Sequence, residues 1–279
     1  MGALLYGTSS WSEKSWVGPF YPEGTAPGGY LAYYATPFPT VEADVTYYRV
    51  PDRPMVAGWD RKTPSDFVLS AKFPRSVVHG GEKAQPDTES LLVMERVGEE
   101  TGRFLDAMRG LGRKCGPLLL QFPYFNRSAF RSADPFLERL DRFLAALPGE
   151  FRYAVEVRNA DWIGKALLDV LRRHKTSLVL VDLAYMPHPA DPFEQSDLLT
   201  ADFAYARLIG DRKAVEEKTE VFDRIVIDQG PRLERWATLL KRIMDRVAKT
   251  YVYANNHYAG FGSGTIRDLA ELVLGKAAR

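Results

Sequence analysis

Short apolar segments alternate with longer amphipathic segments along most of the chain. The apolar segments have the length of buried strands, and we predict eight, at residues 4–8, 40–44, 67–72, 117–122, 153–158, 177–182, 203–209 and 250–255. Apolar positions recur with helical spacing at residues 28–35, 88–111, 134–147, 162–174, 231–247 and 265–274. Strands that alternate with helices in this way are typical of a parallel sheet.

Eight such strands favour a sheet that closes on itself. We predict an α/β fold, with a single TIM-like (β/α)8 barrel domain over residues 1–279. An open doubly wound sheet is the alternative. The segment PHPADPFEQSD after strand six and a charged stretch at residues 213–228 after strand seven are not clearly helical, so an irregular segment is expected in this part of the chain.

Composition narrows the functional classes. The chain has 37 Lys and Arg against 36 Asp and Glu, so no global basic field for nucleic acid exists. Cys115 is the single cysteine, which excludes an internal disulfide and a zinc site built from several thiolates. We see no signal peptide and no apolar segment of membrane length, so we expect a cytoplasmic protein without a membrane partner.

The segment YAVEVRNADW places two charges on a strand that is otherwise apolar. Ala154, Glu156 and Arg158 share one face, and most other predicted strands also end in polar residues. Active sites of such barrels lie at the carboxyl ends of the strands. The strand-end candidates are Glu42, Lys72, Gln121, Glu156, Arg158, Asp182, Arg207, Asn255 and Asn256.

We assign these residues roles in a polar pocket. Glu156, Glu42 and Asp182 are candidate catalytic acids and bases. The cations Lys72, Arg158 and Arg207 are candidates to bind an anion, and the amides of Gln121, Asn255 and Asn256 to orient hydroxyls. Four loop residues complete the candidate binding set: Trp11, Trp162, His79 and His257.

Each candidate also has a structural interpretation. Glu156 and Arg158 could form an internal salt bridge, and Glu42 could pair with Lys72 or Arg158 as barrel filling. Asp182 could cap a turn. Gln121 could be a core hydrogen-bonding residue, the two tryptophans rim packing, and the two histidines ordinary loop residues.

A glycine-rich segment, HYAGFGSGTIRDLAELV, follows the last strand. Gly262, Gly264 and Thr265 are candidates for a phosphate site, since free amides at a helix N-terminus bind anions and barrels often hold phosphate after strands seven and eight. A plain helix cap is the alternative.

Several segments together resemble one family. They are GTSSW at 7–11, GPFYP at 18–22, FPTVEADVTYYRVP at 38–51, TPSDFVLSAKFPRSVVH at 63–79, GPLLLQFP at 116–123, AVEVRNADW at 154–162, ARLIG at 206–210 and YVYANNHYAG at 251–260. In this order they resemble the DUF72, or YecE-like, family, whose function is unassigned. The resemblance implies a TIM-like barrel in a cytoplasmic bacterial or archaeal protein.

The chain departs from the family's usual pattern in three places. Asp44 stands where the family usually has Asn, and Tyr47–Tyr48 where it has Phe-Tyr. Ile209 replaces the histidine of the usual strand-seven motif. A role that depended on that histidine would be lost here.

Three functions compete. The first is an enzyme of hydrolase or isomerase type that acts on a phosphorylated or otherwise anionic small molecule. The second is a metal-dependent phosphodiesterase on nucleic acid, with Glu42, Glu156, Asp182, His79 and His257 as candidate ligands. The third is a non-catalytic module that binds a nucleotide or RNA. No cofactor is indicated, and a divalent metal stays open.

Overall fold

Eight parallel strands form one sheet that curls into a nearly closed barrel, as predicted. The computed structural model describes residues 1–83 and 85–275, so residue 84 and the last four residues of the predicted domain lie outside the described part. The strands are Ala3–Thr8 (β1), Thr40–Ala43 (β2), Val68–Lys72 (β3), Cys115–Gln121 (β4), Tyr153–Glu156 (β5), Ser177–Leu183 (β6), Phe203–Gly210 (β7) and Lys249–Ala254 (β8). Their spatial order is β1-β8-β7-β6-β5-β4-β3-β2.

Helices follow most strands and cover the outside of the sheet. They are Tyr30–Tyr34 (α1), Arg53–Lys62 (α2), Arg75–Val78 (α3), Met94–Arg109 (α4), Asp134–Ala146 (α5), Lys165–Arg173 (α6), Ala190–Gln195 (α7), Arg212–Glu216 (α8), Gly230–Met244 (α9) and Gly262–Leu274 (α10). The segment after β6 carries the short helix α7. After β7, the short helix α8 is followed by a stretch without a helix until α9 begins at Gly230, which matches the irregularity expected in this part of the chain.

The barrel closes between β1 and β2 through a side chain. Thr8 N–H donates to the Tyr34 hydroxyl at 2.7 Å, and that hydroxyl donates to the carbonyl of Thr40 at 3.2 Å. Gly7 is required here, because a Cβ at this position would lie 2.0 Å from the Thr40 carbonyl oxygen. Two strands at the seam therefore approach closely enough for one tyrosine to join them.

Alternation along each strand divides the buried residues into two layers. Inside the barrel lie side chains such as Leu119, Ala154 and Tyr253, while Val155 and Leu120 face the helices. The Tyr253 hydroxyl crosses the interior to hydrogen-bond Oγ of both Thr40 and Ser70. Among the described helices, none is long and apolar enough to cross a membrane.

Candidate functional site

Buried charges from three strands meet inside the barrel near its carboxyl end. Arg207 on β7 donates from Nη2 to Glu42 Oε1 on β2 at 2.9 Å, and from Nη1 to Glu156 Oε2 on β5. Gln121 Oε1 accepts from the same Nη1 at 2.9 Å, and the Tyr205 hydroxyl donates to Glu42 Oε2 at 2.6 Å. Both carboxylates are 0% exposed. Such a group of charges tolerates desolvation only because the members are paired and hydrogen-bonded.

Strand alternation explains why these charges face inward. Ala154 and Tyr205 lie in the interior layer, and Glu156 and Arg207 follow each of them by two residues. The arrangement predicted for the YAVEVRNADW strand is therefore the one observed on β5.

Two further cations lie above this buried network and reach the mouth. Lys72 Nζ at the end of β3 lies 3.7 Å from Glu42 Oε1, and Arg158 Nε donates to Glu156 Oε1 at 2.9 Å. Their side chains are 12% and 24% exposed. Arg207, Lys72 and Arg158 thus face the buried carboxylates of Glu42 and Glu156, and Asp44 is a third carboxyl group that interacts with Lys72.

The charges shift each other's protonation. Burial disfavours the ionised form of Glu156, but the positive charges of Arg207 and Arg158 outweigh burial, so the pKa of this carboxyl lies below its usual value. Burial, with repulsion from Arg207, lowers the pKa of Lys72, and attraction to Glu42 opposes the shift only in part. A lysine whose pKa moves toward neutrality is suited to proton transfer, whereas a strongly ionised carboxylate is a poor acid.

A polar cavity of about 260 Å³ opens beside the network, at the ends of β1, β2 and β8. Ser9, Ser10, Asp44 and Asn255 are among its lining residues. Burial raises the pKa of Asp44 above its ordinary value, although the charge of Lys72 opposes the rise. Ser10 has a φ of 151°, a backbone conformation that side chains rarely adopt and that surrounding structure must hold in place.

Asp182 does not join the other two acids. It follows the interior residue Val181 by one position, so its side chain points to the helices on the outside of the sheet. There it bonds Arg232 on α9, and its Oδ2 accepts from Trp236 Nε1 and the Tyr258 hydroxyl, both at 2.9 Å. The structure thus corrects the placement of Asp182: it connects β6 to α9 and does not line the mouth.

The two predicted tryptophans pack against other aromatic rings. Trp11 meets the ring of Trp59 edge-on at 5.8 Å. Trp162 is buried and stacks on Phe125, with ring centroids 5.6 Å apart. Both therefore occupy the packing positions that were the structural alternative, and neither lines the polar cavity.

The two predicted histidines lie on different sides of the mouth. His79 is buried, and its Nε2 lies 2.9 Å from the Tyr47 hydroxyl. His257 lines the polar cavity, where its Nδ1 bonds Asn255 Oδ1 at 2.9 Å and its Nε2 lies 3.3 Å from Glu216 Oε1. His257 therefore lies at the candidate site, whereas His79 pairs with the Tyr47 hydroxyl and does not line the cavity.

The glycine-rich segment forms a capped helix start. Helix α10 begins at Gly262, and the amide of Gly262 donates to Asn256 Oδ1 at 2.9 Å. Thr265 is inside the helix, where its N–H and hydroxyl both donate to the Phe261 carbonyl. A Cβ on Gly264 would lie 2.6 Å from the Phe261 ring. The predicted phosphate residues thus take part in local hydrogen bonding and packing.

Sequence reasoning left Asp44 and Tyr205 out of the site. Each lies two residues from a candidate that was chosen, Asp44 after Glu42 and Tyr205 before Arg207. The same two-residue alternation that selected those charges would have found both.

The metal-dependent alternative lacks a set of ligands. Across residues 1–83 and 85–275, no three His, Cys, Asp or Glu side chains come together as a metal site. The carboxylates of Glu42 and Glu156 are bonded to Arg207, and Asp182 lies on the other side of the sheet.

With this geometry in place, comparison with known proteins assigns the family. The chain matches the family described as "Protein of unknown function DUF72" over residues 5–278. The chain belongs to the DUF72 family. The UPF0759 protein YecE of Escherichia coli K12 is 32% identical over 162 residues, which cover 58% of this chain and 51% of that protein. The chain thus spans about half the length of the curated relatives it matches.

Solved structures of DUF72 proteins have the same fold. A crystal structure of a DUF72 family protein from Thermotoga maritima is 27% identical with a TM-score of 0.73, covering 97% of this chain and 99% of that one. A DUF72 family protein from Enterococcus faecalis is 17% identical with a TM-score of 0.67, covering 98% and 96%. The second likeness concerns the fold alone. Membership of the DUF72 family thus agrees with the barrel fold, but it does not indicate which reaction, if any, the protein catalyses.

Proposed function

We propose that the protein is an enzyme of hydrolase or isomerase type that acts on a phosphorylated or otherwise anionic small molecule at the barrel mouth. One observation carries the proposal: Lys72 and Arg158 keep part of their charged side chains exposed at the mouth, above carboxylates that are fully buried. A phosphate or carboxylate bound there would accept charge-assisted hydrogen bonds from both cations.

The roles of the charged residues differ from the simplest sequence-based assignment. Lys72 is the proton-transfer group, because it reaches the mouth and burial lowers its pKa. Arg158 binds the anion. Glu42 and Glu156 are positioning residues, since they are 0% exposed and hold these two cations in place. Arg207 is 1% exposed and pairs with both carboxylates, so it fixes the network beneath.

A non-catalytic module for a nucleotide or RNA is the second candidate. Three exposed tyrosines favour it: Tyr48, Tyr124 and Tyr185, which follow β2, β4 and β6 and stand around the mouth. Exposed aromatic rings beside cations stack on bases without sequence preference.

Ligand binding and turnover separate these proposals. The purified protein would be screened by thermal melting against phosphorylated sugars, nucleotides, inorganic phosphate and short single-stranded oligonucleotides, since a ligand of the native state raises Tm. Compounds that bind would then be followed by NMR for conversion. We expect a phosphorylated small molecule to bind and to be converted.

Two variants and a control test the assigned roles. Arg158→Ala should abolish the Tm shift, and Lys72→Arg should keep binding but stop conversion, because arginine does not release its proton near neutral pH. Arg142→Ala, in an exposed pair on α5, should behave as wild type. Binding that survives Arg158→Ala would contradict the anion site, and binding of oligonucleotides alone would favour the module.

A further inference from the structure

The polar cavity at the ends of β1 and β8 contains hydrogen-bonding atoms that the protein itself leaves unused. Ser9 and Trp16 line the cavity, and both are more than nine-tenths buried. Within the described ranges 1–83 and 85–275, neither Ser9 Oγ nor Trp16 Nε1 has a hydrogen-bond partner. Buried polar atoms are rarely left unpaired in native proteins, and a ligand is one reason for an exception.

The remaining lining atoms define what kind of group would fit. An indole N–H can only donate, so the ligand must present an acceptor to Trp16. The Asp44 carboxylate accepts when ionised, so the ligand must also present a donor. Asn255 Oδ1 already accepts from His257 N–H and Nδ1, so the Asn255 amide hydrogens are its remaining contribution. A hydroxyl both donates and accepts hydrogen bonds. A ligand with several adjacent hydroxyls could therefore pair with both the donors and the acceptors of the cavity wall.

Size and apolar surface point to the same class. The cavity of about 260 Å³ is smaller than the roughly 300–1,000 Å³ of pockets for drug-sized ligands, so it suits one small group. Phe222 and Trp16 contribute aromatic surface to its wall, which can cover the C–H face of a small polar ring.

The cavity lies next to the proposed anion site, and Asp44 stands between them. Asp44 lines the cavity, and it follows Ala43, which pairs across the sheet with Ala71, the residue before Lys72. A molecule with an anionic end at Lys72 would therefore place its other end beside Asp44 and the cavity.

We propose that this cavity is a subsite for a hydroxyl-rich, sugar-like group of the substrate, whose anionic end lies at Lys72 and Arg158. The second half of this statement rests on the proposed function. Trp16, Ser9, Asp44 and Asn255 select the hydroxyl-bearing part, and the substrate class is a phosphorylated sugar or sugar acid.

Calorimetry with matched probes and variants tests the subsite. The probes are ribose 5-phosphate, glucose 6-phosphate, inorganic phosphate, and the neutral sugars ribose and glucose. The variants are Ser9→Ala and Trp16→Phe. Ser263→Ala is the matched control, because Ser263 is equally buried with an unpaired Oγ but does not line the cavity.

We expect a sugar phosphate to bind more tightly than inorganic phosphate, and each cavity variant to weaken only the sugar phosphate, roughly three- to tenfold per lost hydrogen bond. Ser263→Ala should change neither affinity. If Trp16→Phe is too unstable to purify, Ser9→Ala alone decides.

The contrary results are distinguishable. A sugar phosphate that binds no better than inorganic phosphate, or that Ser9→Ala does not weaken, overturns the subsite while the anion site stands. If no anion binds, the proposed function fails, and the neutral sugars decide the subsite: binding that Ser9→Ala weakens supports it, and no binding overturns it.

Discussion

The chain buries the carboxylates of two arginine–carboxylate clusters, one on each side of the same sheet. Inside the barrel, Arg207 joins Glu42 and Glu156, and two partly exposed cations cover the carboxylates. Outside the barrel, Asp182 joins β6 to Arg232 on α9 and accepts hydrogen bonds from buried aromatic side chains. Both clusters are strand-end carboxylates in the sequence, yet only the inner one opens to the mouth.

Burial of a charge therefore does not by itself mark a functional site. In the outer cluster the Asp182 carboxylate is 1% exposed and connects β6 to α9, whereas Arg232 is 38% exposed. The inner cluster has two cations that reach the mouth and a polar cavity beside it. The inner cluster therefore differs from the outer one in the two cations that reach the mouth and in the open polar cavity beside them.

The largest expected effect comes from removing the centre of the inner cluster. Arg207→Met leaves Glu42 and Glu156 buried without their shared partner, so we expect a loss of about 3–5 kcal/mol in the free energy of unfolding. Urea denaturation measures it, with the exposed Arg142→Met as control. Adding Glu42→Gln and Glu156→Gln should recover part of the loss. A loss below about 1 kcal/mol would mean that the pairing contributes little.

The outer cluster should affect stability without affecting ligands. Asp182→Asn weakens the bonds to Arg232, Trp236 and Tyr258, and we expect a loss of about 2–3 kcal/mol in the free energy of unfolding. Affinity for a phosphorylated ligand should stay as in wild type. A selective loss of that affinity would restore Asp182 to the site.

The pH dependence of stability tests whether Glu156 is ionised in the folded protein. The pKa of Glu156 is lowered on folding, so its stabilising contribution is present above the unfolded-state pKa of about 4.3 and is lost as the pH falls through the lower folded pKa. Urea denaturation between about pH 3 and pH 5 should therefore show a shallower pH slope for Glu156→Gln than for wild type. Identical slopes would mean that the carboxyl is not ionised preferentially in the fold.

The smallest effect on stability is expected at the mouth itself. Lys72→Met removes a partly exposed cation from Glu42, which keeps Arg207 and the Tyr205 hydroxyl as partners. We expect a change of about 1 kcal/mol or less in the free energy of unfolding, together with loss of conversion of any bound phosphorylated compound. A large loss of stability would place Lys72 among the supporting residues.

Most strands and long helices could be predicted because their signals are local. The clearest miss is α2, in which only Val56 and Trp59 are buried, too few apolar positions to show a helical period. The predicted helix at 88–111 began too early, since Leu91 and Leu92 are apolar but lie in a turn where Leu92 has a φ of 59°. Apolar spacing cannot distinguish a buried turn from a buried helix.

From the sequence alone it follows which residues of a strand share a side, because side chains alternate with a period of two whatever the strand packs against. The sequence also determined the barrel, through eight strand-and-helix units. Which charges meet depends on the tertiary structure. Glu42, Glu156 and Arg207 come from strands far apart in the chain, and curling of the sheet brings their inward faces together while Asp182, one residue out of phase, faces a helix. Pairing and desolvation then set their protonation, and neither exists before the barrel closes.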